Sequence, residues 1–119
     1  MTVLMLGRQL ELGYYRAEFL KSHGIRVIFP ETDDEAISVM QSGHFDAVIV
    51  SYTLEEQTAK EFVKLVKQVS PDCPVVAITR QRLGDPKCVR DETVLDTDKP
   101  QALLQALIRI EKRRFGVRS

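Results

Sequence analysis

The sequence is poor in the residues from which most metal and redox sites are built. Its two cysteines, Cys73 and Cys88, are too far apart for a CxxC motif and have no histidines near them at metal-ligand spacing. Its two histidines, His23 and His44, fall at a predicted helix end and a predicted turn, where neither is expected to be catalytic. We therefore expect reduced thiols, no metal ion and no cofactor.

Long apolar runs and a net charge are also missing. No run approaches the ~18 apolar residues that suggest a membrane span, and the first residues, MTVLMLGRQ, lack the basic lead of a secretion signal. Because 17 basic residues balance 17 acidic ones, overall charge favours neither nucleic acid nor an anionic membrane as a partner. We expect a cytoplasmic protein that recognises its partner through a local patch.

A cluster of cations does lie at the carboxyl end of the chain. Cations in the last turn of a helix suit the helix dipole, and no base-stacking aromatic pattern accompanies these, so we do not expect them to bind nucleic acid. The cluster comprises Arg109, Lys112, Arg113, Arg114 and Arg118.

The chain instead alternates short apolar runs with amphipathic segments. Continuous apolar runs are typical of strands buried on both faces, and side chains at helical spacing lie between them. This alternation predicts an α/β fold with a doubly wound, five-stranded parallel sheet in the flavodoxin-like order 2-1-3-4-5, with helices on both faces, as one domain over residues 1–119. The predicted strands are VLML (3–6), RVIF (26–29), AVIV (47–50), VVAI (75–78) and TVL (93–95).

Helix boundaries can be predicted from the residues that start and stop helices. TDDE (32–35) predicts a capping box at the start of the second helix, which should stop at Gly43. The third helix must end before Pro71, and Pro100 suits the first turn of the last helix. Glycine and proline inside RQRLGDPKCVRDE (80–92) predict that the helix between the fourth and fifth strands is short, irregular or replaced by a loop.

The segment FDAVIVSYTLEEQTAKEF (45–62) resembles, without a gap, the receiver domains of two-component response regulators. In that register Asp46 matches the aspartate that opens the third strand, and Ser51 occupies the phosphoacceptor position. PVVAIT (74–79) matches the strand that ends in the family's switch hydroxyl, here Thr79, and DKP (98–100) matches its lysine-proline pair, giving Lys99. The resemblance covers nearly the whole chain and implies a role in signal transduction.

The carboxylates of the family are missing from this sequence. Gly7 and Arg8 stand where receivers have the acidic pair that holds magnesium, and a serine replaces the phosphoacceptor aspartate at position 51. A serine hydroxyl with no adjacent histidine base is not activated for phosphoryl transfer, and a guanidinium repels Mg²⁺. No Gly-rich phosphate loop or GxSxG motif offers other chemistry. The resemblance thus implies a degenerate pseudo-receiver that binds no magnesium, has no catalytic residue and is not an enzyme.

Two functions remain open at this point. The first is a phosphorylation-independent receiver that binds a signalling protein or a second copy of itself. Its surface would be either the face around segment 80–92, the fifth strand and the last helix, which receivers commonly use, or the first helix. Candidates on the first helix are Tyr14, Tyr15 and Arg16.

The second possible function is an anion or small-molecule sensor. Without the acids, the strand ends would present only cationic and hydroxyl groups, which can hold a phosphate or a carboxylate. The alternative is that Arg8 pairs with Glu55, Asp96 or Asp98 and closes the pocket. The candidate anion-binding residues are Arg8, Ser51, Thr79 and Lys99.

Overall fold

Every strand of the sheet is parallel to its neighbours, and the strand order is β2-β1-β3-β4-β5. This computed structural model describes residues 1–80, 92–95 and 99–115. The predicted order 2-1-3-4-5 is confirmed, whereas the irregular helix predicted between β4 and β5 falls, from residue 81 to 91, outside the described residues. The described elements are β1 (Thr2–Leu6), α1 (Leu10–Ser22), β2 (Arg26–Ile28), α2 (Asp33–Ser42), β3 (Ala47–Ser51), α3 (Glu56–Val69), β4 (Val75–Thr79), β5 (Glu92–Leu95) and α4 (Pro100–Phe115).

The sheet separates two apolar cores, as the continuous apolar strands predict. Val3 and Met5 of β1 point toward α1 and α4, whereas Leu4 and Leu6 point toward α2 and α3. All five residues of β3 are buried, since this strand lies in the middle of the sheet with helices on both sides. Burial of these apolar surfaces is the main driving force for folding. None of the described helices is both long and apolar enough to cross a membrane.

The amino ends of the two central strands are held in register by one side chain. Asp46, which comes directly before β3, accepts a hydrogen bond through Oδ2 from the amide of Thr2, at 2.7 Å. Its own amide donates to the carbonyl of Thr2, also at 2.7 Å. The carboxylate therefore pairs the starts of β1 and β3, and the carboxyl ends of these strands meet at the opposite edge.

The helix ends largely follow the predicted signals. Thr32 caps α2, since its Oγ1 accepts from the amide of Glu35 at 3.2 Å, and Gly43 ends the helix with a φ of 69°. The other hydrogen bond of the predicted capping box, from the amide of Thr32 to Glu35, was a wrong prediction, however. Glu35 Oε2 accepts from the amide of Glu31 at 3.3 Å instead of from the amide of Thr32.

The last helix is attached to the edge strand β5 by ion pairs. Glu92 in β5 accepts from Arg109 at 2.8 Å and from Arg113 at 3.0 Å, and these hydrogen bonds lower the pKa of Glu92. Two of the predicted basic residues, Arg109 and Arg113, thus form exposed ion pairs within the chain. Lys112 is exposed, whereas the side chain of Arg114 and all of Arg118 lie outside what the structure describes.

A close approach between β2 and α1 explains a glycine in the middle of a helix. The strand ends at Ile28, one residue earlier than predicted, and Phe29 turns onto α1. A Cβ placed at Gly13 would lie 2.2 Å from the Phe29 ring. Phe29 also packs against Tyr14, edge to face, with ring centroids 5.2 Å apart. Gly13 therefore provides the space in which the ring lies.

We predict that Gly13→Ala destabilises the protein, although alanine is the better helix former by about 1 kcal/mol. Forcing a methyl group into the ring should cost about 1–3 kcal/mol. Chemical denaturation of the wild type and G13A measures the difference. The control is the same substitution in a Phe29→Ala background, where the clash is absent and G13A should be neutral or stabilising. Equal effects of G13A in both backgrounds would show that the ring does not require the glycine.

Candidate functional site

Ser51 is the last residue of β3 and lies at the carboxyl edge of the sheet. Ser51 is 6% exposed. The side-chain Oγ accepts hydrogen bonds from the amide of Thr53 at 3.2 Å and from the Thr53 hydroxyl at 3.0 Å. Ser51 is therefore buried, and its side-chain oxygen accepts both hydrogen bonds from the turn that follows β3.

The loop after β1 packs directly onto this turn. The amide of Arg8 donates to Thr53 Oγ1 at 2.8 Å, so hydrogen bonds run from the β1–α1 loop through Thr53 to Ser51. A Cβ at Gly7 would lie 3.1 Å from both Ser51 Cβ and Thr53 Oγ1. A larger residue at position 7 would therefore push against the turn after β3.

The guanidinium of Arg8 extends away from this turn and joins two helices. It donates to both oxygens of Asp33, at 2.5 and 3.2 Å, and to both oxygens of Glu55, at 2.9 and 3.3 Å. Asp33 is the first residue of α2 and Glu55 is the residue that precedes α3. Carboxylates are favoured at these positions because helix amino termini carry partial positive charge. We call Arg8, Asp33 and Glu55 the Arg8 bridge.

The Arg8 bridge changes the proton affinities of Arg8 and Glu55. Hydrogen bonds to Asp33 and then to Glu55 raise the pKa of Arg8 further above its usual value. Hydrogen bonds from Arg8 lower the pKa of Glu55 from 4.5 to about 2. The bridge consists of one guanidinium and two carboxylates, so its formal charge is one net negative charge.

The four predicted anion-binding residues lie at different places along this edge. The backbone of Arg8 is linked to Ser51 through Thr53, but the Arg8 guanidinium is paired with carboxylates. Thr79 is half-buried at the end of β4, and Lys99 is exposed just before α4. The alternative prediction, that Arg8 pairs with Glu55, is confirmed. Asp96 and Asp98 lie outside the described residues.

Sequence reasoning did not predict two members of the site, Asp33 and Thr53. Asp33 lies in the capping motif of α2, and that helix begins at the same edge where β1 and β3 end. The acidic first turn of α2 therefore indicated that a cation at position 8 could pair with a carboxylate there. Thr53 had no comparable signal, because its contact depends on the turn after β3.

One predicted surface residue is not on the surface. Arg16 of α1 is 9% exposed and lines the inner side of the helix with Gly13, Ala17 and Leu20. The prediction that Arg16 offers a docking surface is therefore wrong, because the helical period turns position 16 toward the sheet. Tyr14 and Tyr15, in contrast, are exposed.

The space beneath Ser51 is small. A cavity of about 10 Å³ lies among Gly7, Arg16, Ser51, Thr53 and their neighbours, which is at the lower limit for one water molecule. Within the described ranges, no three His, Cys, Asp or Glu side chains are grouped as metal ligands would be.

No family model and no curated protein sequence matches this chain. Solved structures do match it. Chemotaxis protein CheY4 of Vibrio cholerae is 22% identical, with a TM-score of 0.78 over 91% of this chain and 96% of that one. A two-component response regulator from Clostridium difficile is 17% identical, with a TM-score of 0.80 over 97% and 98% of the two chains. This chain has the receiver fold.

Two further solved structures with this fold come from proteins of different kinds. Response regulator TrrA of Thermotoga maritima, solved in complex with Mg(2+)-BeF, is 18% identical, with a TM-score of 0.78 over 91% of this chain and 96% of that one. A member of a family of streptococcal redox sensors that evolved from two-component response regulators is 15% identical, with a TM-score of 0.79. That match covers 98% of this chain and 53% of the other. At these identities the likeness establishes the fold alone.

We predict that Arg8→Gln returns the pKa of Glu55 from about 2 toward 4.5. A lowered pKa in the folded state makes the carboxylate stabilising above about pH 4.5, and this contribution is lost as the pH falls toward 2. The wild type should therefore lose its stability advantage over R8Q across that range. The effect should be modest because the side chains are partly exposed. A ¹³C NMR titration of the Glu55 carboxyl measures the pKa directly.

The control for this titration is Lys60→Gln, which removes the exposed partner of Glu56, a neighbour of Glu55. K60Q should leave the pKa of Glu55 low. A Glu55 pKa that is the same in R8Q and the wild type would contradict the assignment of Arg8 as its cause.

Proposed function

We propose that this protein is a cytoplasmic signalling domain of the receiver type that acts without phosphorylation, by binding another protein. The observation that carries the proposal is the Arg8 bridge. Its guanidinium lies beside the loop where the resemblance would put an acidic pair, and its four hydrogen bonds already occupy the carboxylate oxygens of Asp33 and Glu55. A divalent cation that used these carboxylates would have to displace the guanidinium that they already bind.

The position of Ser51 also supports the loss of phosphoryl transfer. Phosphorylation of a receiver needs a carboxylate that forms an acyl phosphate and a cation that neutralises the developing charge. Ser51 has an unactivated hydroxyl, is 6% exposed, and its oxygen already accepts two hydrogen bonds from Thr53. We therefore propose no catalytic residue, no bound magnesium and no enzyme activity for this domain.

The same geometry gives less support to the anion-sensor alternative. An anion would need a cation with free donors, but Arg8 is shared by two carboxylates and the bridge has a net negative charge. We therefore propose a protein as the partner. The streptococcal redox sensors that evolved from response regulators give an example of this fold serving in a protein of another class.

The test is to incubate the protein with Mg²⁺ and acetyl phosphate and to record intact mass and amide NMR spectra. We predict that no phosphoryl group is added and that the amides of Gly7, Arg8, Ser51 and Thr79 do not shift. TrrA, whose structure holds Mg(2+)-BeF, serves as the reference protein under the same conditions. A magnesium-dependent phosphoryl adduct on the wild type that is lost in Ser51→Ala would overturn the proposal.

A further inference from the structure

We propose that a cavity between the end of α1 and the side of α4 binds a small, uncharged aromatic molecule with one hydrogen-bond donor, of the size of indole. Met1 and Ile25, the residues directly before β1 and β2, belong to its lining, so it lies at the opposite edge of the sheet from the Arg8 bridge. We call it the amino-edge cavity. The inference goes beyond the proposed function and does not depend on whether Ser51 can be phosphorylated.

The amino-edge cavity has the volume of a small-molecule site. It measures about 240 Å³, whereas the cavity beneath Ser51 measures about 10 Å³. An apolar cavity of about 150 Å³ is sufficient to hold benzene. His23 and Glu111 are exposed members of the lining, so a molecule can enter from their side. The cavity therefore has room for a fused bicyclic ring.

One side of α4 forms an apolar wall that ends in a carboxylate. Leu104, Leu107, Ile108 and Glu111 all line the cavity, and their spacing of three and four residues places them along one side of the helix. Leu107 is 1% exposed and belongs to the core between the sheet and the helices. Glu111, in contrast, is exposed. A bound molecule would therefore have its apolar part on the leucines and its polar part at the rim.

The opposite wall is the turn between α1 and β2, which backbone hydrogen bonds hold in place. The amides of His23 and Ile25 both donate to the carbonyl of Leu20, at 3.0 and 3.1 Å, and the amide of Gly24 donates to the carbonyl of Lys21 at 3.0 Å. A Cβ at Gly24 would meet no atom within 4 Å, so this part of the rim is open. A site that is formed before the ligand arrives lowers the entropic cost of binding.

The hydrogen bonds of His23 determine which of its ring nitrogens can accept. Nδ1 lies 3.0 Å from the carbonyl oxygen of Phe19 and 3.2 Å from Ser22 Oγ. The Ser22 hydroxyl donates its hydrogen to the same carbonyl, at 2.6 Å, so both neighbours of Nδ1 accept. Nδ1 therefore carries the proton, and Nε2 of the neutral ring is an acceptor. The Phe19 ring also packs on the His23 ring, with centroids 4.5 Å apart.

Glu111 provides a second acceptor at the rim. Within the part of the chain that the structure describes, its carboxylate has no ion pair or hydrogen bond, whereas the neighbouring cations Arg109 and Arg113 are both paired with Glu92. Hydrogen bonds to a carboxylate are stronger than those to an uncharged acceptor. The polar groups of the cavity therefore favour a ligand that donates a hydrogen bond, and the charge of Glu111 disfavours an anion.

A fused aromatic ring with one N–H group matches this arrangement. The rigid ring would fill the apolar space with little loss of conformational entropy, and its N–H would donate to Glu111. An ammonium ion would have to lose part of its hydration beside the apolar walls, which favours an uncharged donor. Because such a ligand has few atoms, we expect a Kd on the order of 1 mM or below.

The test is an amide NMR titration with indole at about pH 8, where histidine is ordinarily neutral. We predict saturable shifts at His23 and Gly24 and along residues 104–111. N-methylindole, which lacks the donor, should bind at least several-fold more weakly. An indole carboxylate, which is an anion, should not bind.

Matched variants locate the ligand. Ile108→Trp should fill the cavity and abolish indole binding, whereas Gln105→Trp, which adds the same ring at an exposed position of α4, should have no effect. Glu111→Met should weaken indole about tenfold, the effect of losing one hydrogen bond to a charged group, and should remove the preference over N-methylindole. Lys112→Met makes a similar change at the next exposed position and should leave both affinities unchanged.

Circular dichroism checks that each variant is folded, and the exposed position of Glu111 makes E111M informative if I108W is not. Shifts that do not saturate or that fall outside the amino-edge cavity, equal binding of the three molecules, or unchanged indole binding by folded I108W or by E111M would each overturn the proposal. A phosphoryl adduct in the acetyl phosphate experiment would instead overturn the proposed function and leave the cavity proposal standing.

Discussion

The guanidinium of Arg8 links three segments of the chain at the carboxyl edge of this sheet. Arg8 lies in the loop after β1 and is held by carboxylates from the starts of two different helices. The loop after β1, the start of α2 and the start of α3 are thus joined through one charged group. A ligand or ion that approaches the Arg8 bridge meets a guanidinium that is already shared by two carboxylates, rather than a free carboxylate or a free guanidinium.

The rest of the fold brings the members of the Arg8 bridge together. Parallel strands carry their carboxyl ends to one edge, and each crossover helix begins there, so acidic residues at helix starts converge on the same place. Asp46 fixes β1 against β3 at the far end, and Thr53 links the two loops at the near end. The result is a receiver fold in which protein groups fill the edge around Arg8, while tyrosine and glutamate side chains of α1 lie in solvent.

The sequence was sufficient to predict the strands, their order and most helix ends. Each of these depends on neighbouring residues: continuous apolar runs such as AVIV, a threonine cap at position 32 and a glycine stop at position 43. The contacts that define the site depend on residues that are distant in the chain. Arg8 meets Asp33 and Glu55, 25 and 47 residues away, and choosing between possible carboxylates requires the positions of the helices.

The side of α1 that packs on the sheet also depends on residues that are distant in the chain. Whether Arg16 faces solvent depends on which side of α1 packs on the sheet, and the weak amphipathic pattern of this helix leaves that open. Gly13 had no interpretation in the sequence, because its reason is the ring of Phe29 on another element.

Whether the Arg8 guanidinium excludes Mg²⁺ from this edge is decided by NMR of the Arg8 side chain during a Mg²⁺ titration. We expect the Nε–Hε signal of Arg8 to stay protected from solvent exchange and unshifted at millimolar Mg²⁺, with the Glu55 carboxyl signal also unchanged. Loss of that protection, together with saturable shifts at Gly7, Ser51 and Glu55, would show that Mg²⁺ displaces the guanidinium and that the Arg8 bridge does not exclude the metal ion.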